Sequence, residues 1–477
     1  MSEKNTDEGR AMGPKSWVTG WHWRERILHF TPSWFTICMG TGGVQLALVN
    51  FPYPYTGAVY WMRNLGYCFW IVEISTFVIF AVMLTIRYIW HPKLFMKSVL
   101  EFPTCSYFGA IPIAIDTSLV GIISYYGYRD GAVWVAFAFY WVAVATTILS
   151  TFGLLIVQIM KQKHHSMEEV AGIWLMTAVP MVITANAGAN ILGNLDRVST
   201  KAALTVLIVS FMFWSLGLCL VHFILACYFW RLISYKLPQN QLLASGFLPL
   251  APLAQGALSA QLMCIYLSNY LKKDHYAPTQ SHPPPLPQST LNSTGEAIHW
   301  LGILVSLFLL AHATFWLVQA SASILYRLPL SFNIGMWSFT FPWASYATGW
   351  AILSRDLRND GMRGWTAFNT VAVILIWLYC AVETVYYGFW KGSLFFAPGL
   401  EGWIGDEDDE ESKNKKKELQ KGGRTMKSNG TYDFRRPSAQ DEENRSKANG
   451  PASASGHSNG SEEGGMTQRK SERGGDD

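Results

Sequence analysis

Between residues 28 and 391 the chain is written in ten apolar blocks, and the blocks are of two kinds in strict alternation. One kind carries proline or a glycine cluster: roughly 32–51 (Pro32, Gly40, Gly42, Gly43), 103–125 (Pro103, Gly109, Pro112, Gly121), 171–195 (Pro180, Gly188, Gly193), 244–271 (Gly246, Pro249, Pro252, Gly256) and 331–353 (Gly335, Pro342, Gly349). The other kind has no proline and covers roughly 66–89, 132–159, 202–232, 297–325 and 365–390. A helix of about 20–30 such residues crosses a hydrocarbon core of ~30 Å. The alternation predicts a hairpin of one broken and one intact helix, repeated five times. The fold class is an all-α membrane protein of ten transmembrane helices, and the function class is a transporter or channel.

Proline inside a helix removes a backbone hydrogen bond and displaces a carbonyl, which hydrocarbon tolerates only where protein or a water-filled cavity receives it. The five broken helices are therefore expected inside, around an axis, with the five intact helices facing lipid. Spacing points the same way. Ser33, Thr36, Gly40, Gly43 and Ala47 recur at steps of three and four, as do Ser245, Pro249, Pro252, Gly256 and Ser259, while Asn186, Asn190 and Asn194 form a polar ladder. Such small-residue stripes serve close helix packing as readily as a lined pathway. In the ninth block Ser338, Phe341, Ser345 and Thr348 share one face, and Phe339, Trp343, Tyr346 and Trp350 share another. The first face is a polar stripe interrupted by one ring, beside the expected kink at Pro342. A ring in a narrow polar passage would block it; the other reading has Phe341 packing between helices.

Charge narrows the substrate. The broken blocks contain no Lys or Arg and one acid, Asp116; the intact ones contain Glu73, His222, His312 and Glu383. Ionisable groups at membrane depth are functional candidates, and Asp116 could carry a coupling proton or make a structural hydrogen bond. A cation would ask for several acids along the path, and a large dicarboxylate for an arginine fork. A small anion needs neither, since hydroxyls and backbone N–H groups at half-helix starts hold it weakly enough to let it pass. A membrane enzyme would cluster its ionisable residues on facing helices, whereas here they are dispersed. No Cys or His spacing suits a metal, and no cofactor is expected.

Composition agrees: half of the residues are hydrophobic, 15% are charged, and 21 Trp with 21 Tyr suit interfacial belts. A net charge of +4 gives no ground for a nucleic-acid partner. Leaving out the tail, thirteen Lys and Arg fall on the side of the termini against nine opposite, which favours both termini in the cytoplasm. The expected organisation is a cytoplasmic segment over 1–27, the transport domain over 28–391 and a disordered tail over 392–477, where acidic (406–411) and basic (413–417) runs give way to Ser, Gly and Glu. Asn292-Ser293-Thr294 in an outer loop is a glycosylation acceptor, and Arg435-Arg436-Pro437-Ser438 makes Ser438 a phosphorylation candidate.

Particular motifs add a resemblance. Phe30-Thr31-Pro32-Ser33-Trp34-Phe35-Thr36 through Met39-Gly40-Thr41-Gly42 resembles the opening of the fungal sulfite efflux pumps. These belong to the tellurite-resistance/dicarboxylate transporter superfamily, with the plant slow anion channels and fungal malic-acid transporters. Gly109-Ala110-Ile111-Pro112, Ile173-Trp174-Leu175 with Pro180, Phe247-Leu248-Pro249-Leu250 with Gln255-Gly256, and Phe332-Asn333 with Trp337 to Pro342 extend the likeness over about 28–391. The resemblance implies five hairpins with quasi-five-fold symmetry about a central pore, and an aromatic gate at Phe341. It implies plasma-membrane export of sulfite or hydrogensulfite, with a C4-dicarboxylate such as malate, or a less selective anion channel, as the alternative. The expected polar lining is Ser33, Thr36, Gly40, Asn186, Asn190, Gln255, Ser259, Ser338 and Ser345. Asp116 and the loop carrying Pro283, Pro284, Pro285 and Pro287 have no matched counterpart, so passive and proton-linked transport both stay open. The expected partners are the anion, membrane lipid and further copies of the chain.

Overall fold

A computed structural model of the chain describes residues 27–53, 60–273, 287–390, 425–426 and 432–433. Five times the chain makes a short 3-10 turn, enters a helix, and returns along a second one. The lead-in turns are Pro32–Trp34, Thr104–Gly109, Gly172–Thr177, Asn240–Phe247 and Ile334–Phe339. The first unit continues as α1 (Phe35–Val49) and α2 (Tyr60–Trp90), followed by the short α3 (Pro92–Leu100). The second is α4 (Ala110–Tyr126) and α5 (Asp130–Ile148), the latter prolonged through a π turn into α6 (Leu154–Met160). Then come α7 (Val179–Val198) with α8 (Thr200–Tyr235), α9 (Leu250–Lys272) with α10 (Gln288–Arg327), and α11 (Thr340–Asp356) with α12 (Asp360–Val385). In the tail, Thr425–Met426 pairs antiparallel with Tyr432–Asp433.

The first helices of the units pack in a closed cycle: α1 on α4, α4 on α7, α7 on α9, α9 on α11, and α11 back on α1. Their lead-in turns touch in the same order. Contact is close there, because a Cβ on Gly109 would overlap the carbonyl of Met176, and one on Gly172 the carbonyl of Ser245. The return helices lie outside the cycle and anchor through indoles. Trp70 Nε1 donates to the Ser118 carbonyl (3.0 Å), Trp214 Nε1 to that of Gly256 (2.8 Å), and Trp337 Nε1, from a lead-in turn, reaches outward to Thr384 Oγ1 (2.9 Å).

Burial separates the two sets. The most apolar stretches of the units holding α4 and α9 are 72% and 78% buried, against 17–44% for α2, α5, α8, α10 and α12. Among the described residues, seven helices, these five return helices with α4 and α9, are long and apolar enough to cross a membrane. The remaining inner helices fall short for different reasons: α1 and α11 are only 15 and 17 residues long, and α7 carries three asparagines. A helix enclosed by other helices has no need of the hydropathy that lipid contact demands.

Two expectations change. The prolines do not kink helix interiors. Pro32 opens a lead-in turn, Pro180 is the second residue of α7, and Pro112, Pro252 and Pro342 are the third residues of their helices. The first-turn N–H groups have no intrahelical acceptor, so proline there costs little and helps set the helix start. Asn292 is not in a loop, since α10 begins at Gln288; it is exposed in the first turns of that helix, where Gln288 Nε2 donates to its Oδ1 (3.3 Å). Ser438 lies outside the described residues.

The ends opposite the lead-in turns are tied by cations from unit to unit. Arg63 donates to the Ser124 carbonyl (2.8 Å), Arg197 to that of Gly127 (2.9 Å), and Arg355 to that of Phe51 (3.0 Å), while Lys273 pairs with Asp196 (2.5 Å). Cations near helix C-termini satisfy carbonyls left without an intrahelical donor.

Candidate functional site

Among the described residues, a polar chain crosses three neighbours in the helix cycle. On α7, Asn190 Nδ2 donates to the Asn186 carbonyl (2.8 Å) and to Asn186 Oδ1 (3.1 Å). Asn186 Nδ2 donates to Gln255 Oε1 on α9 (2.5 Å), and Gln255 Nε2 donates to Ser345 Oγ on α11 (2.8 Å). Asn186, Gln255 and Ser345 are each at most 2% exposed. Such amides persist in a core only when bonded, and here each bonds to the next helix.

The chain borders a narrow void lined by Leu46 of α1, Asp116, Thr117 and Val120 of α4, Ile183, Asn186 and Ala187 of α7, and Gln255 of α9. Four of the five inner helices thus face one space, and it is too constricted for a water molecule. Asp116 reaches it fully buried. Thr184 Oγ1 donates to Asp116 Oδ2 (2.7 Å), the Thr184 hydroxyl bonds that of Thr147 on α5 (2.7 Å), and Asp116 Oδ1 has no hydrogen-bond partner among the described residues. A second buried acid stands behind it. Glu73 of α2 accepts from Thr117 and, at 3.2 Å, from Ser118, and its Oε2 is unpartnered among the described residues. Among the described residues, no Lys or Arg forms an ion pair with either carboxyl.

Phe341 is 1% exposed and lies on α11 one turn before Ser345, about 6 Å nearer the lead-in turns. It packs on α1 so tightly that a Cβ on Gly43 would lie 3.1 Å from its Cδ2 and 3.2 Å from its Cα. It is not among the residues bordering the void. The opposite face of α11 meets outer helices: Trp343 Nε1 donates to Asn369 Oδ1 (2.9 Å), and the Tyr346 hydroxyl bonds Thr314 (2.7 Å) and Trp365 Nε1 (3.2 Å).

Of the residues singled out from sequence, the structure joins Asn186, Asn190, Gln255 and Ser345 and sets Asp116 beside them. Ser33 and Ser338 belong instead to lead-in turns and Thr36 to the first turn of α1, where Thr36 Oγ1 donates to the Ser33 carbonyl (2.6 Å) and the Ser33 hydroxyl bonds that of Thr31 (2.5 Å). Ser259 bonds its own helix at the Gln255 carbonyl (2.7 Å). Gly40 is a packing position, since a Cβ there would overlap the Thr340 hydroxyl and stand 3.1 Å from the Trp337 ring. Sequence reasoning missed Gln45, which is fully buried on α1 with both amide atoms unpartnered among the described residues. The signal was available, because no other side chain in α1 is an amide or an acid. It also missed Thr184 and Thr147, whose partners are far away in sequence.

The comparisons with known proteins bear on this geometry. The chain is 27% identical to a sulfite efflux pump SSU1 of Arthroderma otae over 76% of its length and 91% of the relative's. The SSU1 sulfite efflux pump of Candida albicans matches at 23% over 76% of this chain and 75% of that one. A malic acid transport protein of Schizosaccharomyces pombe matches at 26%, over 35% of this chain and 37% of its own. Residues 29–385, from the first lead-in turn to the last residue of α12, match the SLAC1 family, described as voltage-dependent anion channels. The chain is a multi-pass membrane protein and belongs to the SLAC1 anion channel family.

Proposed function

We propose that the protein exports a small inorganic anion, sulfite or hydrogensulfite, across the plasma membrane, with both termini in the cytoplasm. Ten helices would span the bilayer as five quasi-symmetric hairpins, with the pathway on the axis of the inner cycle. The observation that carries this reading is the void lined by four inner helices and edged by amides and hydroxyls, with Asp116 as its one ionisable group. Amide N–H and hydroxyl donors bind an anion without the strength of a guanidinium, so the anion also leaves. Phe341 is the gate: the void excludes water, and the ring closes the side nearer the lead-in turns. Asp116 binds and releases a proton, since an ionised carboxylate facing the void with no cation beside it would repel the anion. The full-length likeness to sulfite efflux pumps favours sulfite. The partial likeness to a malic acid transport protein makes malate the second reading.

The test is anion flux from proteoliposomes holding the purified full-length chain, comparing sulfite, chloride, nitrate and malate. Sulfite flux well above malate flux is expected. Malate flux above sulfite flux would move the assignment to dicarboxylate transport, and no flux of any anion with confirmed incorporation would overturn the pathway itself.

A further inference from the structure

A second cavity lies away from the helix cycle, at the end carrying the lead-in turns. Its volume is about 370 Å3, and it is lined by Leu232, Lys236, Leu237, Gln319, Tyr326 and Arg327. It sits between two return helices where they end, at Tyr235 of α8 and Arg327 of α10. From these features we infer that it is a binding site for the headgroup of an anionic glycerophospholipid.

The chemistry is graded along the cavity. Lys236 and Arg327 stand at its outer end, no acid lines it, and Arg327 makes no ion pair among the described residues. Gln319 lies eight residues before Arg327 on α10, about 12 Å deeper into the bilayer. Leu232 and Leu237 supply apolar wall, and the flanking Trp230, Val318, Leu325 and Tyr326 are exposed on the surface that meets lipid. Two cations above an amide and an apolar wall match a phosphate, then the ester region, then the start of an acyl chain. A free phosphate would use only the first level. Helix C-termini direct carbonyls at this end and disfavour an anion, so the two cations are needed to reverse the local field.

Lys236 is held for this position. Its backbone adopts φ 62°, in the left-handed region that side-chain-bearing residues rarely occupy. The buried Arg231 fixes it, donating to the Lys236 carbonyl and, through Nε, to the Glu168 carbonyl (3.0 Å). Strain of this kind persists where the surroundings over-determine it and clusters at binding sites.

The experiment measures lipid retention by native mass spectrometry. The full-length protein is extracted from phosphatidylcholine vesicles made with and without phosphatidylserine, as wild type, as Lys236→Gln/Arg327→Gln, and as Gln319→Leu. Wild type should keep phosphatidylserine in preference to phosphatidylcholine, and losing two interfacial cations should weaken that retention roughly 30-fold. Gln319→Leu, which leaves both cations, should weaken it less and serves as the check that the fold survives. Equal retention of phosphatidylserine by wild type and the double variant would overturn the site. Displacement of the lipid by millimolar inorganic phosphate would show a phosphate site and overturn its assignment to lipid.

Discussion

Truncating the Phe341 ring separates the two roles a buried aromatic can have on α11. The side chain is 1% exposed and wedged against Gly43, so Phe341→Ala in a purely structural role costs about 3–5 kcal/mol of stability, as buried Phe→Ala changes do. In a gating role the same deletion also removes an obstruction. It would leave a benzene-sized hole of about 150 Å3 next to a void that now admits no water. To let an anion pass, the wild-type ring must give up part of its packing against Gly43. If that part is about 2 kcal/mol, deleting the ring raises flux roughly 30-fold.

The assay is sulfite conductance of purified protein in planar bilayers, with thermal stability of the same preparations measured alongside. Phe341→Ala should lower the melting temperature and raise conductance, and Phe341→Leu should do less of both. Phe339→Ala is the control: that ring stacks edge-on against Phe247 (centroids 5.0 Å apart) in the lead-in turn, so its loss should destabilise without raising conductance. Phe341→Ala protein that is destabilised yet conducts like wild type would refute the gate and leave the ring as packing.

Three further outcomes follow from the same geometry. Anion flux through wild type is expected to decline as pH rises, and Asp116→Asn should remove that decline, because an amide cannot ionise beside the void; an unchanged pH profile in proteoliposomes would exclude Asp116 as the proton carrier. Gln255→Leu breaks its bonds to Asn186 and Ser345 and leaves their buried polar atoms short of partners, which costs about 1–3 kcal/mol; a lowered melting temperature and altered sulfite-to-chloride selectivity are expected, and unchanged selectivity would place the network outside the path. Gly42→Ala puts a Cβ 2.5 Å from Glu73 Oε1 and 2.6 Å from Thr117 Oγ1. It should therefore destabilise, and Glu73→Ala should rescue it in a double-mutant cycle with a coupling of about 1–3 kcal/mol, a coupling near zero refuting the contact.

The fold was legible because lipid and protein ask different things of a helix. Trp61–Trp90 and Thr200–Tyr235 are apolar over most of their circumference because hydrocarbon surrounds most of each. The inner helices were recognised by the opposite trait, glycine and small polar residues, which close packing requires: Gly43 admits Phe341, and Gly42 admits Glu73. The prolines marked the right helices for a reason that the structure revises. Proline tolerates both a helix start and a kink, and hydropathy alone cannot place the junction between a 3-10 turn and an α-helix. Pro342, three residues after Phe339, reads either way until the lead-in turn is seen.

The site was legible only where its partners share one helix. Asn186 and Asn190 are four apart, so the ladder could be read from spacing, whereas Gln255 is 69 residues from Asn186 and 90 from Ser345. What brings them together is the cycle of inner helices, and the cycle follows from five similar units each burying its polar helix against the next. The same closure explains the acids. A carboxyl on a lipid-facing helix would be very costly, and Glu73 escapes because its face of α2 turns inward onto Thr117 and Ser118. Asp116 escapes through Thr184, itself held by Thr147 of a return helix. Each acid thus has one oxygen bonded across a unit boundary and the other unpartnered among the described residues. If the proposed pathway is right, that oxygen is where a proton would sit, and a protonated Asp116 would let the anion by.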